Sequence, residues 1–428
     1  MTLTRNQLIV LGAAAFIVLF LILGFLGVIP IFKSGQETSQ GVPQEATLIL
    51  WGIDPSENFK GVLENYLNAY KNVRVDYQQI DEKTYENTLL NAWATGKGPD
   101  VFMFHRSWMY RQGDKVVPVP DAKLSLYNLR QLFPDVIEND FTFQGKIYAL
   151  PLYLDSLALF YNKDIFNSKG IALTPTTWND FKNLIKPLTE FDFSRQIKKS
   201  AAAIGGSAKS INKAPDLLSL LMLQFGSYVV NPDNLKVEFD QKSFEALNFY
   251  LQFATPSNPY YTWTDSFGNS IDSFASGDAA MIFNYAKEIP LIKQKNPFLN
   301  FSVTGMPQFN LNQPINYADY WGLAVSQQSV KQNLAWDFII FMTTNQINAE
   351  VYARDSGLPP ALRILINKYL TDSNLGTFAK QALSSKSFHQ KDYRIFGQTF
   401  SNMIESVLSG KQTALDALDS VSNAINSL

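Results

Sequence analysis

The chain reads as an α/β protein divided into two lobes. Its 428 residues exceed the usual size of a single core. Its apolar fraction of 46% is enough to fill more than one. From Thr47 onward, short β-rich runs alternate with stretches of helical periodicity. That is the pattern of βαβ units around a mainly parallel sheet.

The elements follow in order. No charge occurs between Arg5 and Lys33, and Leu8–Phe32 is almost wholly apolar. A spanning helix needs about 20 apolar residues, whereas a signal-peptide core has about 7–15. The run fits the spanning length and lacks a clear small-x-small cleavage site. It reads as an uncleaved single-pass anchor over residues 8–32, with a cytoplasmic stub at 1–7. Arg5 and the amino terminus favour the inside, which places the bulk of the chain outside the cell membrane. An unusually long cleaved signal peptide is the competing reading. Residues 33–45 are polar, with Gly, Ser, Gln and Pro, and read as a flexible tether.

Thr47–Trp51 carries β-formers and reads as the first strand. Asp54-Pro55-Ser56 opens a helix whose apolar face is Phe59, Val62, Leu63, Tyr66, Leu67 and Tyr70. Val73–Tyr77 is the next strand. Tyr85, Leu89 and Trp93 mark a helix ending near Gly96, and Val101–Phe104 is a short apolar strand. Open sheets of this kind bind ligands at the carboxyl ends of their strands. That rule singles out the residues after Trp51 and after Phe104. Gly145-Lys146 forms a polar turn into a strand closed by Pro151, and Leu157–Tyr161 is a second apolar run. Thr177-Trp178-Asn179-Asp180 has the spacing of a capping box. Beyond it, Trp178, Phe181, Leu184, Ile185 and Leu188 share one helical face. Leu217–Phe225, closed by Gly226, is another helix, and Phe244, Leu247 and Leu251 mark a third. Two tail helices are lined by Phe400, Met403, Ile404, Val407 and Leu408, and by Leu415, Leu418, Val421, Ile425 and Leu428.

Composition removes several classes of function. There is no cysteine, so disulfides and thiolate chemistry are excluded. Lys and Arg number 36 against 38 for Asp and Glu, which gives no electrostatic case for nucleic acid. The two histidines form no Ser–His–Asp or HExxH arrangement, and Gly96-Lys97-Gly98 lacks the P-loop spacing. No catalytic residue, metal site or cofactor is expected.

Three motifs occur in order: Gly145-Lys146-x-Tyr148-x-Leu150-Pro151, then Tyr161-Asn162-Lys163-Asp164-x-Phe166, then Pro175-x-Thr177-Trp178-x-Asp180-Phe181. With Gly96–Val101, Phe274–Met281, Trp321–Val325, Ala335–Ile339 and Gly357-Leu358-Pro359, they span about Leu48 to the end. The whole resembles the extracellular solute-binding proteins of ABC importers, in the branch of maltose- and multiple-sugar-binding proteins. The resemblance implies a periplasmic-binding-protein-like (type II) fold, two α/β lobes crossed three times by the chain. The crossings are expected near Asp155, Asn300 and Gln346. Lobe 1 would be residues 46–155 plus 301–345, and lobe 2 residues 156–300 plus 346–428. It further implies a monomer that takes a small-molecule solute, most readily a sugar, and docks on ABC permease subunits.

A sugar site needs flat aromatic faces for C–H surfaces and fixed polar groups for hydroxyls. Trp51 and Asp54 follow the first strand, and Asp54 either contacts ligand or caps the next helix. His105, Arg106 and Trp108 follow the strand ending at Phe104. In the maltose branch this segment carries an aromatic, an acid and a base. The resemblance puts Phe104, Ser107 and Trp108 there, so only the aromatic is kept in kind. Asp155 matches an acidic ligand-contacting position of the relatives. Asn284 and Tyr285 match a cleft segment in which Lys287 stands where the maltose branch has Trp. Tyr320 and Trp321 match a cleft loop, and Trp263, in the cluster Tyr260-Tyr261-Thr262-Trp263, is a further wall candidate. Tyr393 and Phe396 are weaker ones.

The reading is therefore a membrane-tethered binding protein that captures a mono- or oligosaccharide by hinge closure. One alternative is an extracellular glycoside hydrolase, for which Asp54 and Asp155 are the only pair of carboxylates to nominate. Another is a ligand-sensing protein for a non-sugar solute.

Overall fold

A computed structural model describes residues 45–227, 229–231 and 234–427. The expected stub, the anchor and the tether up to residue 44 lie outside the described residues. Among the described residues no helix is long and apolar enough to cross a membrane. By compactness, residues 45–47 with Lys71–Arg74 form a small unit. Leu48–Tyr70 and the chain from Val75 onward form a large unit, which holds all the site geometry below.

The strands in chain order are β1 Ala46–Gly52, β2 Val73–Gln79, β3 Val101–His105, β4 Val116–Val117, β5 Thr142–Phe143, β6 Lys146–Ile147, β7 Leu150–Pro151 and β8 Asp155–Ser156. They continue as β9 Ala158–Asn162, β10 Glu190–Phe191, β11 Ile197–Ala202, β12 Ala279–Asn284, β13 Phe301–Thr304, β14 Asn316–Asp319, β15 Trp321–Ser326 and β16 Ser385–Lys386. The first sheet has the order β2-β1-β3-β15-β4, with β7 also on β15. The second has the order β10-β11-β12-β9-β13, and a small third sheet has the order β16-β14-β8.

The expectation of mainly parallel sheets needs correction. β1 and β3 are parallel, as are β11 and β12. However, β15 runs antiparallel to β3, and β9 antiparallel to both β12 and β13. The reason is topological. β9 and β15 each follow directly on a strand of the small sheet, so they enter their own sheets from the crossing side.

Local signals set the elements. Gln144 at φ 50° and Gly145 at φ 75° supply the two left-handed positions of a tight turn joining β5 to β6. The capping box forms: Thr177 Oγ1 accepts from the Asp180 N–H, and the Asp180 carboxylate accepts from the Thr177 N–H. The helix Ser56–Ala69 buries Phe59, Val62 and Tyr66, but Leu67 and Tyr70 stay exposed, so its apolar face is narrower than the periodicity implied. The second core joins Trp178, Phe181, Phe283, Phe400 and Val421 across the middle helices and the tail.

Two strands of the small sheet lie in sequence between strands of the two larger sheets. β8 lies in sequence between β7 of the first sheet and β9 of the second. β14 lies between β13 of the second and β15 of the first. Just past the boundary expected near Asn300, Phe301–Thr304 pairs with β9, Phe301 opposite Asn162 and Thr304 opposite Leu159. The boundary expected near Gln346 falls between two helices, Gln332–Thr344 and Gln346–Ser356. Asn345 accepts the N–H groups of Ile347 and Asn348, which turns one helix into the next. The helix Gln346–Ser356 then packs on Ser56–Ala69, with Asn65 Nδ2 donating to Asn348 Oδ1 at 3.0 Å. Arg363 Nε still bonds the Phe133 carbonyl at 2.8 Å, whereas Tyr369 already packs against the second core and Leu375 is part of it.

Gly322 sits where two strands and a helix converge. A Cβ there would meet the Leu150 carbonyl oxygen at 2.5 Å and Phe141 Cε2 at 2.6 Å. Gly322→Ala should lower unfolding stability by about 1–3 kcal/mol, the usual range for overpacking. Urea unfolding followed by tryptophan fluorescence checks this, and an unchanged midpoint would contradict the close approach.

Candidate functional site

A cavity of about 140 Å³ opens where the ends of β3 and β14 meet the helix Ala214–Phe225 and the start of the helix Tyr393–Leu408. Larger hollows of about 620 and 310 Å³ lie elsewhere, beside Lys209 and Glu405 and beside Val230 and Phe388. The smaller cavity is the site candidate because buried charges from both halves converge on it.

β3 delivers His105 and then Arg106. Arg106 is buried; its Nη2 donates to the Tyr317 hydroxyl at 2.8 Å, and its guanidinium lies 5.0 Å from the Tyr317 ring centre. Its Nε lies 3.5 Å from Asp319 Oδ1, outside hydrogen-bond geometry, and Nε and Nη1 have no hydrogen-bond partner. Asp319, at the end of β14, takes His105 Nε2 at 2.8 Å and has Lys287 Nζ at 4.0 Å. Burial works to raise its pKa, but His105, Lys287 and Arg106 hold the carboxyl well below the usual range. Lys287 follows β12 and lies 3.8 Å from Glu82. Burial opposes its charge, yet Asp319 and Glu82 keep its pKa above the ordinary lysine value.

The helix Ala214–Phe225 brings Lys213 and Asp216 to the opposite side. Lys213 Nζ stands 5.3 Å from the Tyr285 ring centre, and the Tyr285 hydroxyl donates to Asp216 at 2.9 Å. Burial pushes the Asp216 carboxyl up. Trp321 and Tyr393 form aromatic walls, their ring centres 4.9 and 5.1 Å from the His105 ring. At the rim, Arg111 pairs with Asp392, and Arg394 with Glu86 at 3.3 Å.

Residues 62–364 match the family described as bacterial extracellular solute-binding protein. The chain belongs to that family. The maltotriose-binding protein of Pyrococcus abyssi is 22% identical over 328 residues, covering 75% of this chain and 67% of that protein. The galactooligosaccharide-binding protein of Bacillus subtilis is 23% identical over 351 residues, covering 78% and 76%. The chain spans about half, 54%, of the multiple sugar-binding protein of Streptococcus mutans, at 23% identity over 53% of its own length. Among solved structures, the cyclic α-maltosyl-1,6-maltose binding protein of Arthrobacter globiformis superposes with a TM-score of 0.75 at 16% identity, covering 90% of this chain and 98% of that one. A solute-binding protein of Thermotoga lettingae bound to α-D-tagatose gives 0.69 at 20%, covering 90% and 99%. These likenesses establish a shared two-lobed α/β fold.

Within this solute-binding protein, the sequence candidates separate. His105, Arg106 and Trp321 line the cavity. Phe104 does not; alternation along β3 turns its ring inward, 5.8 Å from Trp108 and 6.2 Å from Phe141. Trp108 is buried too, stacked 6.0 Å from Tyr85. Trp263 is a core residue, its indole N–H donating to Ser210 Oγ at 2.9 Å. Tyr320 is buried and donates to Asp140 at 2.8 Å. Asn284 and Tyr285 are fully buried behind the wall.

Asp155 is wholly buried and serves as a staple. It accepts backbone N–H groups of Ser156 at 2.8 Å, Ala286 at 3.0 Å and Lys287 at 3.1 Å. Burial pushes its carboxyl up to about 7 against those donors. Asp54 caps nothing, since Pro55 holds the cap position without a side-chain bond. Its carboxylate instead accepts from the Tyr352 hydroxyl. Trp51 is half-buried, its indole nitrogen without a partner. Sequence reasoning missed Glu82, Lys213, Asp216 and Tyr317. Only Asp216 carried a signal, an acid beside Pro215 at a helix start.

Burial pushes the Asp54 carboxyl up to about 6, with the Tyr352 bond opposing. A raised acid favours the folded state while protonated, and that contribution is lost as pH rises through about 6. Asp54→Asn removes the titration but keeps an acceptor for Tyr352. Wild type should therefore lose stability relative to the variant between pH 4 and 7, with a constant gap above. Urea midpoints that run parallel across this range would contradict the shift.

Proposed function

We propose that this chain is the extracytoplasmic substrate-binding subunit of an ABC importer and that its cavity takes a carbohydrate. The observation that carries the reading is the convergence of Trp321 and Tyr393 with hydrogen-bonding side chains from both lobes. Aromatic faces cover sugar C–H surfaces, and buried polar groups read hydroxyls. The names of the relatives, which bind maltotriose, galactooligosaccharides and multiple sugars, support the same class.

Capture proceeds by hinge closure across the small sheet, with lobe boundaries at β8, at β14 and between Arg363 and Tyr369. A ligand stabilises the closed form only through contacts it lacks in the open one. Ring stacking with a few charge-assisted bonds corresponds to micromolar affinity, about −8 kcal/mol. The closed monomer docks on permease subunits. The apolar run Leu8–Phe32 holds it at the outer face of the membrane, with residues 1–7 inside. A hydrolase reading has less support. Asp155 spends its oxygens on backbone N–H groups, and the family is one of binding proteins.

Tyr393→Ala should weaken sugar binding about tenfold or more, the scale of one lost stacking face, with little change in unfolding midpoint. Calorimetry against mono- and oligosaccharides tests both claims. Heat from amino acids or polyamines, with none from sugars, would remove the carbohydrate assignment.

A further inference from the structure

We infer that the ligand is a single-ring sugar acid whose carboxylate is received by Arg106, an inference that rests on the sugar-binding reading above. Arg106 carries no acceptor, and its Nε and Nη1 together hold about three N–H groups. Both nitrogens are buried without a hydrogen-bond partner, in a side chain only 4% exposed that lines the cavity. Leaving buried donors of a cation unmet is costly.

The protein's own carboxylates do not answer this demand. Asp319 already takes His105 at 2.8 Å and faces Lys287 at 4.0 Å, and Arg106 reaches it only at 3.5 Å. Asp216 accepts from Tyr285, and burial favours its neutral form. Glu82 is 58% exposed and lies beside Lys287. Lys213 stands over the Tyr285 ring and closes no salt bridge among the described residues.

Three cations, Arg106, Lys213 and Lys287, thus face three carboxylates, Glu82, Asp216 and Asp319, and what is left over is the set of unmet N–H groups on Arg106. A neutral sugar hydroxyl is both donor and acceptor, so it meets one N–H while bringing a donor of its own. A carboxylate is acceptor-only and offers about four lone-pair sites, so it meets several N–H groups without bringing a donor of its own. The size agrees. The cavity of about 140 Å³ is less than half the ~300 Å³ at which drug-sized pockets begin, room for one ring rather than a chain. Trp321 and Tyr393 then face the ring while Arg106 takes its acid group.

The test titrates the purified full-length chain calorimetrically with D-galacturonate, D-galactose and methyl D-galacturonate, with the glucuronate, glucose and ester set, and with glucose 6-phosphate. The expected result is a uronate bound at least tenfold more tightly than both its neutral parent and its ester. The preference should collapse towards unity in Arg106→Gln and be partly kept in Arg106→Lys. The ratios in the wild-type protein decide the matter even if both variants misfold. Neutral parents or esters bound as well as the acids would overturn the carboxylate and leave the sugar reading standing. Glucose 6-phosphate preferred over every uronate would also overturn it. Silence across this panel overturns the sugar acid, and the broader sugar screen then judges the parent reading on its own.

Discussion

Asp319 stands one residue before Tyr320 and two before the strand that re-enters the first sheet, and three cationic or hydrogen-bonding groups surround its carboxylate. His105 and Arg106 reach it from β3, and Lys287 from the segment after β12. A buried carboxylate is costly without partners. His105 and Arg106 come from the end of the first sheet and Lys287 from the segment after a strand of the second, so both sheets contribute to answering its charge. Asp155 performs the matching task on the neighbouring strand. Its backbone acceptor contacts fix where Ala286 and Lys287 leave β12, and so where the lysine points. The cavity is a consequence of this arrangement.

Local chemistry was legible in the sequence, and long-range pairing was not. The capping box at Thr177 and Asp180 formed as its spacing implied, and the helix Ser56–Ala69 buries part of the face its spacing implied, because each depends on residues within a few positions. The crossings depend on which distant strand a segment joins. Phe301–Thr304 looks like any short β-run, and only its pairing with β9 puts it in the second sheet. Likewise, nothing local distinguishes a helix corner at Asn345 from a passage between lobes.

The site was half legible for the same reason. Strand-end logic found His105 and Arg106, yet it also nominated Phe104 and Trp108, whose rings turn into the first core. Aromatic residues near polar ones nominated Trp321, which lines the cavity, and Trp263, which lies in the second core. The polar neighbour Thr262 is itself committed, its Oγ1 accepting from the Ala201 N–H at 2.8 Å. Lys213 and Asp216 arrive from a helix far from either strand end in sequence, so periodicity had no means of placing them. Relatives of 16–23% identity share the two-lobed scaffold, whereas the charges that line this cavity are properties of the chain's own residues.

In the proposed mode of action the two lobes close around a small molecule and release it unchanged. The chain has no cysteine, so spin labels can be placed on introduced cysteines at exposed Tyr127 in one lobe and Phe193 in the other. Electron–electron distance measurement should show the distribution shift and narrow to one population as sugar saturates. It should revert on dialysis, with the sugar recovered chemically intact. A distribution that stays the same while calorimetry reports full occupancy would contradict the account.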